Sequence, residues 1–249
     1  MTVDLHKLLP TTPVSPARLQ LYQPTRRPTF MTWTTETPWG DAKITGKIGQ
    51  GHADLVEAMS KLSLDHRVSD TGQIQLLVDP HPVRKLLAGD GERYSYTTTW
   101  QMIEDLRLTS IDLRVRSIDE RIMGGIIDLV RESPMTVAAS RSGQQRHLWQ
   151  VTLNAAYSAL MGRDLPLYYD PAPIARIRSG VAQAIARHVL THTQQPNGGW
   201  TLDGLIQAVG ADGPYLRKRR SEIHNAAEQL LAVGIIVAGD RVFLAPRTP

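Results

Sequence analysis

The chain contains no cysteine. That excludes a disulfide framework, thiolate zinc ligation and a cysteine nucleophile, and it removes any sign of an oxidising compartment. No stretch approaches the roughly 18 consecutive apolar residues of a membrane-spanning helix. Met1 to Pro16 have no long apolar run and carry Asp4, unlike a secretory leader. The expectation is a soluble, cytoplasmic protein with no membrane partner.

Signatures of chemistry are equally sparse. Gly40 to Lys47 superficially resembles a phosphate-binding loop, but Gly40 is one residue too far from Gly46 and Ile48 stands where Ser or Thr would hold magnesium. The end of a β-hairpin is the better reading. His188 and His192 have the i, i+4 spacing of a helical metal pair, but no Glu follows His188 and no third ligand is evident. Asp79 and His81 flank Pro80 with no serine nucleophile motif nearby. No His-hydrophobic-His pair is present to hold a metal beside a nucleophilic tyrosine. The expectation is a protein without enzymatic activity, cofactor or metal.

What remains is an ordinary globular composition. The 249 residues are 41% hydrophobic and 21% charged, enough for one large domain or two small ones. The net charge of +4 fits nucleic-acid binding without requiring it.

Residues 1–28 hold Pro10, Pro13, Pro16, Pro24 and Pro28, with Arg26 and Arg27 near the end. They read as an extended arm, either a disordered terminus or a segment that tracks DNA. Phe30 to Ile48 reads as a hairpin turning at Trp39-Gly40-Asp41. A helix follows over Gly51 to Leu64, then a strand over Ile74 to Val78, then a short helix over Pro82 to Ala88 that stops at Gly89-Asp90-Gly91. Thr97, Thr98 or Thr99 caps a helix from Trp100 to Leu108. Ile111–Val115 and Gly125–Val130 read as paired strands, and Leu148 to Leu153 as another. Asn154 caps a short helix through Met161. Pro173 to His192 reads as one strong helix, because Ile177, Val181, Ile185 and Val189 recur every four residues.

The richest stretch comes last. Leu202 to Leu244 reads as a helix starting at Thr201 or Asp203, a Gly turn, a basic helix, a second Gly turn and two short strands. The basic helix is expected over 214–233. Pro214 suits its first turn, where a missing N–H costs nothing. Then come Tyr215, Leu216 and four cations in a row, Arg217, Lys218, Arg219 and Arg220. At about 100° per residue, Leu216, Ile223, Ala227 and Leu230 share the inward face. Lys218, Ser221 and Asn225 lie opposite, with Arg217 slightly off centre. Cations at a helix N-terminus oppose the helix dipole by a few tenths of a kcal/mol. Stability alone is therefore a poor reason for them. Arginine pairs bidentately with guanine, and asparagine with adenine, in the major groove. Tyr215, Arg217, Lys218, Ser221 and Asn225 are thus assigned to the groove. Arg219 and Arg220 are assigned to phosphates or intramolecular pairing, and Arg241 on the closing hairpin to the neighbouring backbone.

Helix 100–108 with strands 111–115 and 125–130 parallels helix 214–233 with strands 235–238 and 241–245. The expected fold class is therefore α+β, with two tandem winged-helix domains over 29–165 and 166–249. The first half carries a weaker set of candidates. Thr97, Thr98, Thr99 and Gln101 sit at a helix N-terminus, and Arg107, Arg114 and Arg116 are candidate backbone contacts. Asp105, Asp112, Asp119 and Glu120 nearly balance these cations, so DNA contact and a protein interface remain equally open.

The run Leu216 to Arg220, the helix end Leu230 to Gly234 and the hairpin Val237 to Pro246 resemble the C-terminal end of plasmid replication initiators of the RepC type. Those proteins carry a Met-Arg-Lys-Arg-Arg run, a Leu-Val-Ala-Leu-Gly helix end and a hairpin before a Pro-rich tail. Leu153 to Tyr169 also resembles the family's segment before its second domain. The likeness is strongest over the last fifth of the chain, and the N-terminal half fits by architecture alone. It implies a bacterial, plasmid-associated initiator that binds direct repeats (iterons) in an origin, promotes opening and takes part in helicase loading. It also implies that the second domain reads bases while the first touches backbone or mediates homodimerisation. The runner-up is a winged-helix repressor on a two-fold operator. A third reading is a protein-interaction module whose basic helix is only a solvated surface.

Overall fold

The computed structural model describes residues 9–88, 94–138, 143 and 145–245. Two short elements, β1 (Thr12–Pro13) and α1 (Ser15–Arg18), precede the hairpin β2 (Met31–Thr37) and β3 (Gly40–Gly46). Next come α2 (Gln50–Lys61), β4 (Ser63–Val68), β5 (Ile74–Val78), α3 (Pro80–Ala88) and α4 (Tyr96–Arg107). Four strands follow: β6 (Ser110–Val115), β7 (Glu120–Gly124), β8 (Ile127–Ala138) and β9 (Gln145–Leu153). The chain then forms α5 (Ala155–Arg163), β10 (Pro166–Leu167), α6 (Pro171–Ala175) and α7 (Gly180–Leu190). It closes with β11 (Trp200–Thr201), α8 (Leu202–Ala208), α9 (Leu216–Asn225), α10 (Ala227–Leu231), β12 (Ile235–Ala238) and β13 (Arg241–Leu244).

The architecture is mixed α+β with two hydrophobic cores. One gathers Leu19, Ile44, Leu55, Met59, Leu76, Ile103, Leu113, Val151 and Leu160. It lies among α2, α4 and two four-stranded antiparallel sheets of order β2-β3-β6-β7 and β4-β5-β9-β8. The other gathers Val181, Ile185, Val189, Leu205, Ile206, Ile223, Leu230 and Val242. It is formed by α7 to α10 and a three-stranded sheet of order β11-β13-β12.

Several expectations hold. The 30–48 hairpin pairs Trp33 with Ile44, which places the phosphate-loop look-alike in β3. Asn154 caps α5 through its side chain on the N–H of Ala156, and Thr201 caps α8 on the N–H of Gly204. The closing strands pair Ile235 with Leu244 and Ala238 with Arg241.

Others are corrected. Strands 111–115 and 125–130 do not pair. β6 pairs with β3 and with β7, whereas β8 pairs with β9 in the other sheet. The local competitor is a tight β6–β7 turn in which Asp119 takes φ +49°. It pairs residues 120–124 with β6, and the chain then buries Ile126 and Ile127 as it enters the separate strand β8. The helix of 173–192 is two helices. Ser179 caps α7 on the N–H of Ala182, and the Arg26 guanidinium binds the carbonyls of Ala175 and Ile177, which the break releases. The basic helix begins at Leu216 and breaks at Ala226. Helix α4 starts at Tyr96 with Ser95 as its cap, one turn before the expected start. The Gly89-Asp90-Gly91 stop lies outside the described residues, as do residues 1–8 of the arm.

The described part of that arm, 9–28, is packed. Leu19 and Leu21 are fully buried in the first core. β1 pairs with β10, Arg18 donates to the Thr191 carbonyl at 2.8 Å, and Gln20 donates to the Ala208 carbonyl at 3.0 Å. Pro13 lies in β1 and Pro16 in the first turn of α1, both buried, so the prolines do not keep the segment in solvent. Gly180 allows a close approach of the arm, since a Cβ there would lie 2.5 Å from the Thr25 Cα.

Candidate nucleic-acid interface

Helix α9 is anchored from below. Ile223 is fully buried and Leu216 packs on the second core. The opposite face presents Arg217, Lys218, Ser221, His224 and Asn225 to solvent, with Tyr215 exposed at the cap position. Periodicity alone assigned all of these except His224, which sits between the assigned Ser221 and Asn225.

The four consecutive cations divide into two kinds. Arg219 pairs with Glu222 one turn along at 3.3 Å. Arg220 grips Asp203 of α8 with both arms, its Nε donating at 2.7 Å, and this bidentate hydrogen bond holds the Asp203 carboxyl below the usual range. Both arginines therefore take the intramolecular option. Arg217 and Lys218 make no ion pair among the described residues. On the closing hairpin, Gly239 turns at φ +55° and Arg241 follows, exposed, with its guanidinium 3.4 Å from the Gly199 carbonyl.

An open groove of about 750 Å³ runs beside α9. Asn225 and Arg219 line one wall, and Arg27, Arg178 and the first turn of α7 line the other. Arg27 and Arg178 are exposed, and no ion pair of either is seen among the described residues. Arg26, their neighbour, is committed to backbone carbonyls, to Tyr94 and to Asp54 at 3.5 Å. Arg26 and Arg27 both line the groove, but Arg26 is engaged within the chain, whereas Arg27 is exposed. Sequence reasoning missed Arg178, because it lay inside an expected continuous helix. The serine that follows it was the available signal for a new helix start.

The first-half candidates do not converge on this groove. Thr97 and Thr98 are exposed, but Thr99 is buried and returns its hydroxyl to the Ser95 carbonyl at 2.9 Å. Gln101 binds Asp105 at 3.3 Å, Arg107 pairs with Glu104 at 3.0 Å, and Arg116 donates to the Pro38 carbonyl at 3.2 Å. Arg114 is exposed on β6, opposite Arg121.

Between the two cores lies a buried polar junction that the sequence did not reveal. Gln50, Asp54 and Glu57 form one stripe of α2 at i, i+4, i+7 spacing, facing Gln183 and Arg187 on α7. Arg187 donates to Glu57 at 2.8 and 2.9 Å, to Asp54 at 2.6 Å and to Gln50 at 2.8 Å. Burial alone would lower the Arg187 pKa, but Glu57 and Asp54 outweigh it and hold it well above its ordinary value. Tyr169 completes the set by donating to Glu57 at 2.7 Å, and burial, then the Glu57 charge, pushes its own pKa well up. Beside it, Trp39 from the first core packs edge-on against His188 and His192 at 5.6 and 5.9 Å. The histidine pair is therefore packed between the two cores. Among the described residues no group of three or more His, Asp or Glu could hold a metal, and no helix is long and apolar enough to cross a membrane.

The fold defined by these elements, a two-core α+β chain ending in helices and a small hairpin sheet, has solved relatives. A crystal structure of domains 2 and 3 of RctB matches with TM-score 0.59 over 94% of this chain and 96% of that one, at 11% identity. A second structure of RctB domains 2–3 matches with TM-score 0.52 over 86% of this chain and 82% of that one, at 12% identity. At such identity the likeness is one of fold. No family model and no curated protein matches the sequence.

Proposed function

We propose that the chain is a sequence-specific double-stranded DNA-binding protein of the replication-initiator kind, in which α7 to α10 and the closing hairpin act as a winged helix. The observation that carries this reading is the exposed face of α9. It holds Arg217 and Lys218, without an ion pair among the described residues, beside Ser221 and Asn225, in a chain with the fold of two domains of RctB, a replication initiator. A free arginine and an asparagine on one helix face are the pair that reads guanine and adenine edges. Arg27, Arg178 and Arg241 flank that face on two sides and are suited to phosphates.

The finer proposal is binding to direct repeats in a plasmid origin, followed by opening and helicase loading with a host or plasmid helicase. The resemblance to RepC-type initiators supports it through the basic run and the hairpin, while the fold likeness supports only the initiator kind. In this reading the protein has no catalytic centre and no cofactor, and a homodimer would form through the first domain.

The test is fluorescence anisotropy with duplex from the DNA flanking the gene, against a shuffled duplex, across a salt series. The expected result is a specificity ratio above about 10³ and affinity that falls steeply with salt. Equal binding to both duplexes overturns the reading. Tight binding to an inverted repeat in place of tandem repeats would make the chain a repressor.

A further inference from the structure

A recess of about 670 Å³ opens where α4 crosses the edge of the β4-β5-β9-β8 sheet. Its rings are Tyr96 and Trp100, one helical turn apart, and Trp149 on β9. Tyr96 is 47% and Trp100 43% exposed, an unusual concentration of aromatic surface, while Trp149 is buried beneath them. Both outer rings meet Trp149 edge-on, at centroid distances of 6.2 and 5.4 Å, so Trp149 fixes their orientation. The remaining wall carries Glu104 and Glu132. Glu132 lies directly across the ladder from Trp149 and is exposed, and Glu104 shares its charge with Arg107 at 3.0 Å.

We propose that this recess receives an arginine or lysine side chain from a peptide segment of a partner protein. Aromatic faces attract a cation through their quadrupole, most strongly for tryptophan and arginine. The site already shows that preference, because the Arg84 guanidinium lies 3.8 Å over the Tyr96 ring. Glu132 supplies the matching charge. Exposed rings of this kind otherwise suit the stacking of nucleic-acid bases, but such platforms sit in positively charged grooves. Among the described residues, the cations beside the recess, Arg84 and Arg107, are engaged with Tyr96 and Glu104, and Glu132 is left as an exposed carboxylate that repels phosphate. This surface is separate from the α9 face, so its occupant does not compete with DNA there.

The test is ¹H–¹⁵N NMR of the tryptophan indoles of the full chain, with the Trp100 signal assigned by W100F. The probes are the acetylated, amidated peptide Gly-Leu-Arg-Leu-Gly, the same peptide with norleucine for arginine, and a dT oligonucleotide, each to about 5 mM, where millimolar sites fill. The arginine peptide is expected to move the Trp100 and Trp149 signals, the norleucine peptide and oligonucleotide to leave them in place, and E132Q to weaken peptide binding at least threefold. E132Q alters an exposed group and leaves the rings intact, so its folding is not at risk. Shifts caused by the oligonucleotide alone would make this a base-stacking ledge. Equal shifts with norleucine, no loss in E132Q, or no shifts at all each overturn the proposal.

Discussion

Helices α4 and α9 each cover the edge of their own core, α4 against β8 and α2 and α9 against α7 and α8, yet their surfaces offer different things. On α4 the one arginine, Arg107, is paired with Glu104, and the exposed side chains include Tyr96 and Trp100. On α9 two of four consecutive cations are paired, and the other two make no ion pair among the described residues. The difference teaches that cation count is a poor guide to an electrostatic surface. What matters is whether a carboxylate on the same or a neighbouring helix has already claimed the charge. By that measure the second region suits DNA, and the first suits a partner with a charge of its own to offer.

The largest effect should come from breaking what holds the two regions together. Arg187→Met leaves Asp54 and Glu57 buried without their cation, and is expected to cost roughly 3–5 kcal/mol in urea unfolding. Replacing Asp54, Glu57 and Arg187 together with apolar residues of similar volume should recover most of that loss. A single mutant as stable as the parent would mean that the two cores are not coupled through this junction.

The next effect is on pH dependence. Burial first, and the neighbouring His192 second, push the His188 pKa down to about 4. The folded form therefore favours the neutral ring, and its stabilisation is complete above the ordinary histidine value. Stability is lost as pH falls from near 6.5 towards 4, by up to about 3 kcal/mol. His52, also lowered chiefly by burial, acts in the same direction. Urea midpoints measured at about pH 7.5 and about pH 4.5 should differ accordingly, and His188→Gln should reduce the difference.

Smaller effects sharpen the contrast in DNA binding. Arg217→Ala or Asn225→Ala should cost roughly 1–3 kcal/mol on the specific duplex and relax selectivity at one position. Arg241→Ala should instead weaken all duplexes alike. Equal losses for Arg217→Ala on specific and random DNA would remove its base-reading role. Smallest of all, Arg107→Ala removes an exposed pair with Glu104 and an exposed hydrogen bond to the Asp128 carbonyl, and should change stability by no more than about 1 kcal/mol. It should leave DNA affinity nearly untouched. A loss as large as that of Arg217→Ala would erase the distinction between the two helices.

The sequence by itself determined the local elements with strong short-range signals. The 31–46 hairpin, the caps at Asn154 and Thr201, the closing hairpin and the exposed face of α9 all follow from turn chemistry and periodicity within a few residues. Tertiary structure alone decided the rest. Strand partnership of 111–115 depended on a competing turn at Asp119 and on β3, nearly seventy positions away in the chain. The helix break at 176–179 depended on Arg26 arriving to bind the freed carbonyls, and the packing of residues 9–28 depended on two cores already being there to receive Leu19 and Leu21. Nothing local to Gln50, Asp54 and Glu57 shows that Gln183 and Arg187 will meet them. Which cations stay free was likewise settled by carboxylates brought near by folding. Periodicity tells which way a side chain points, and only the packed chain supplies what it points at.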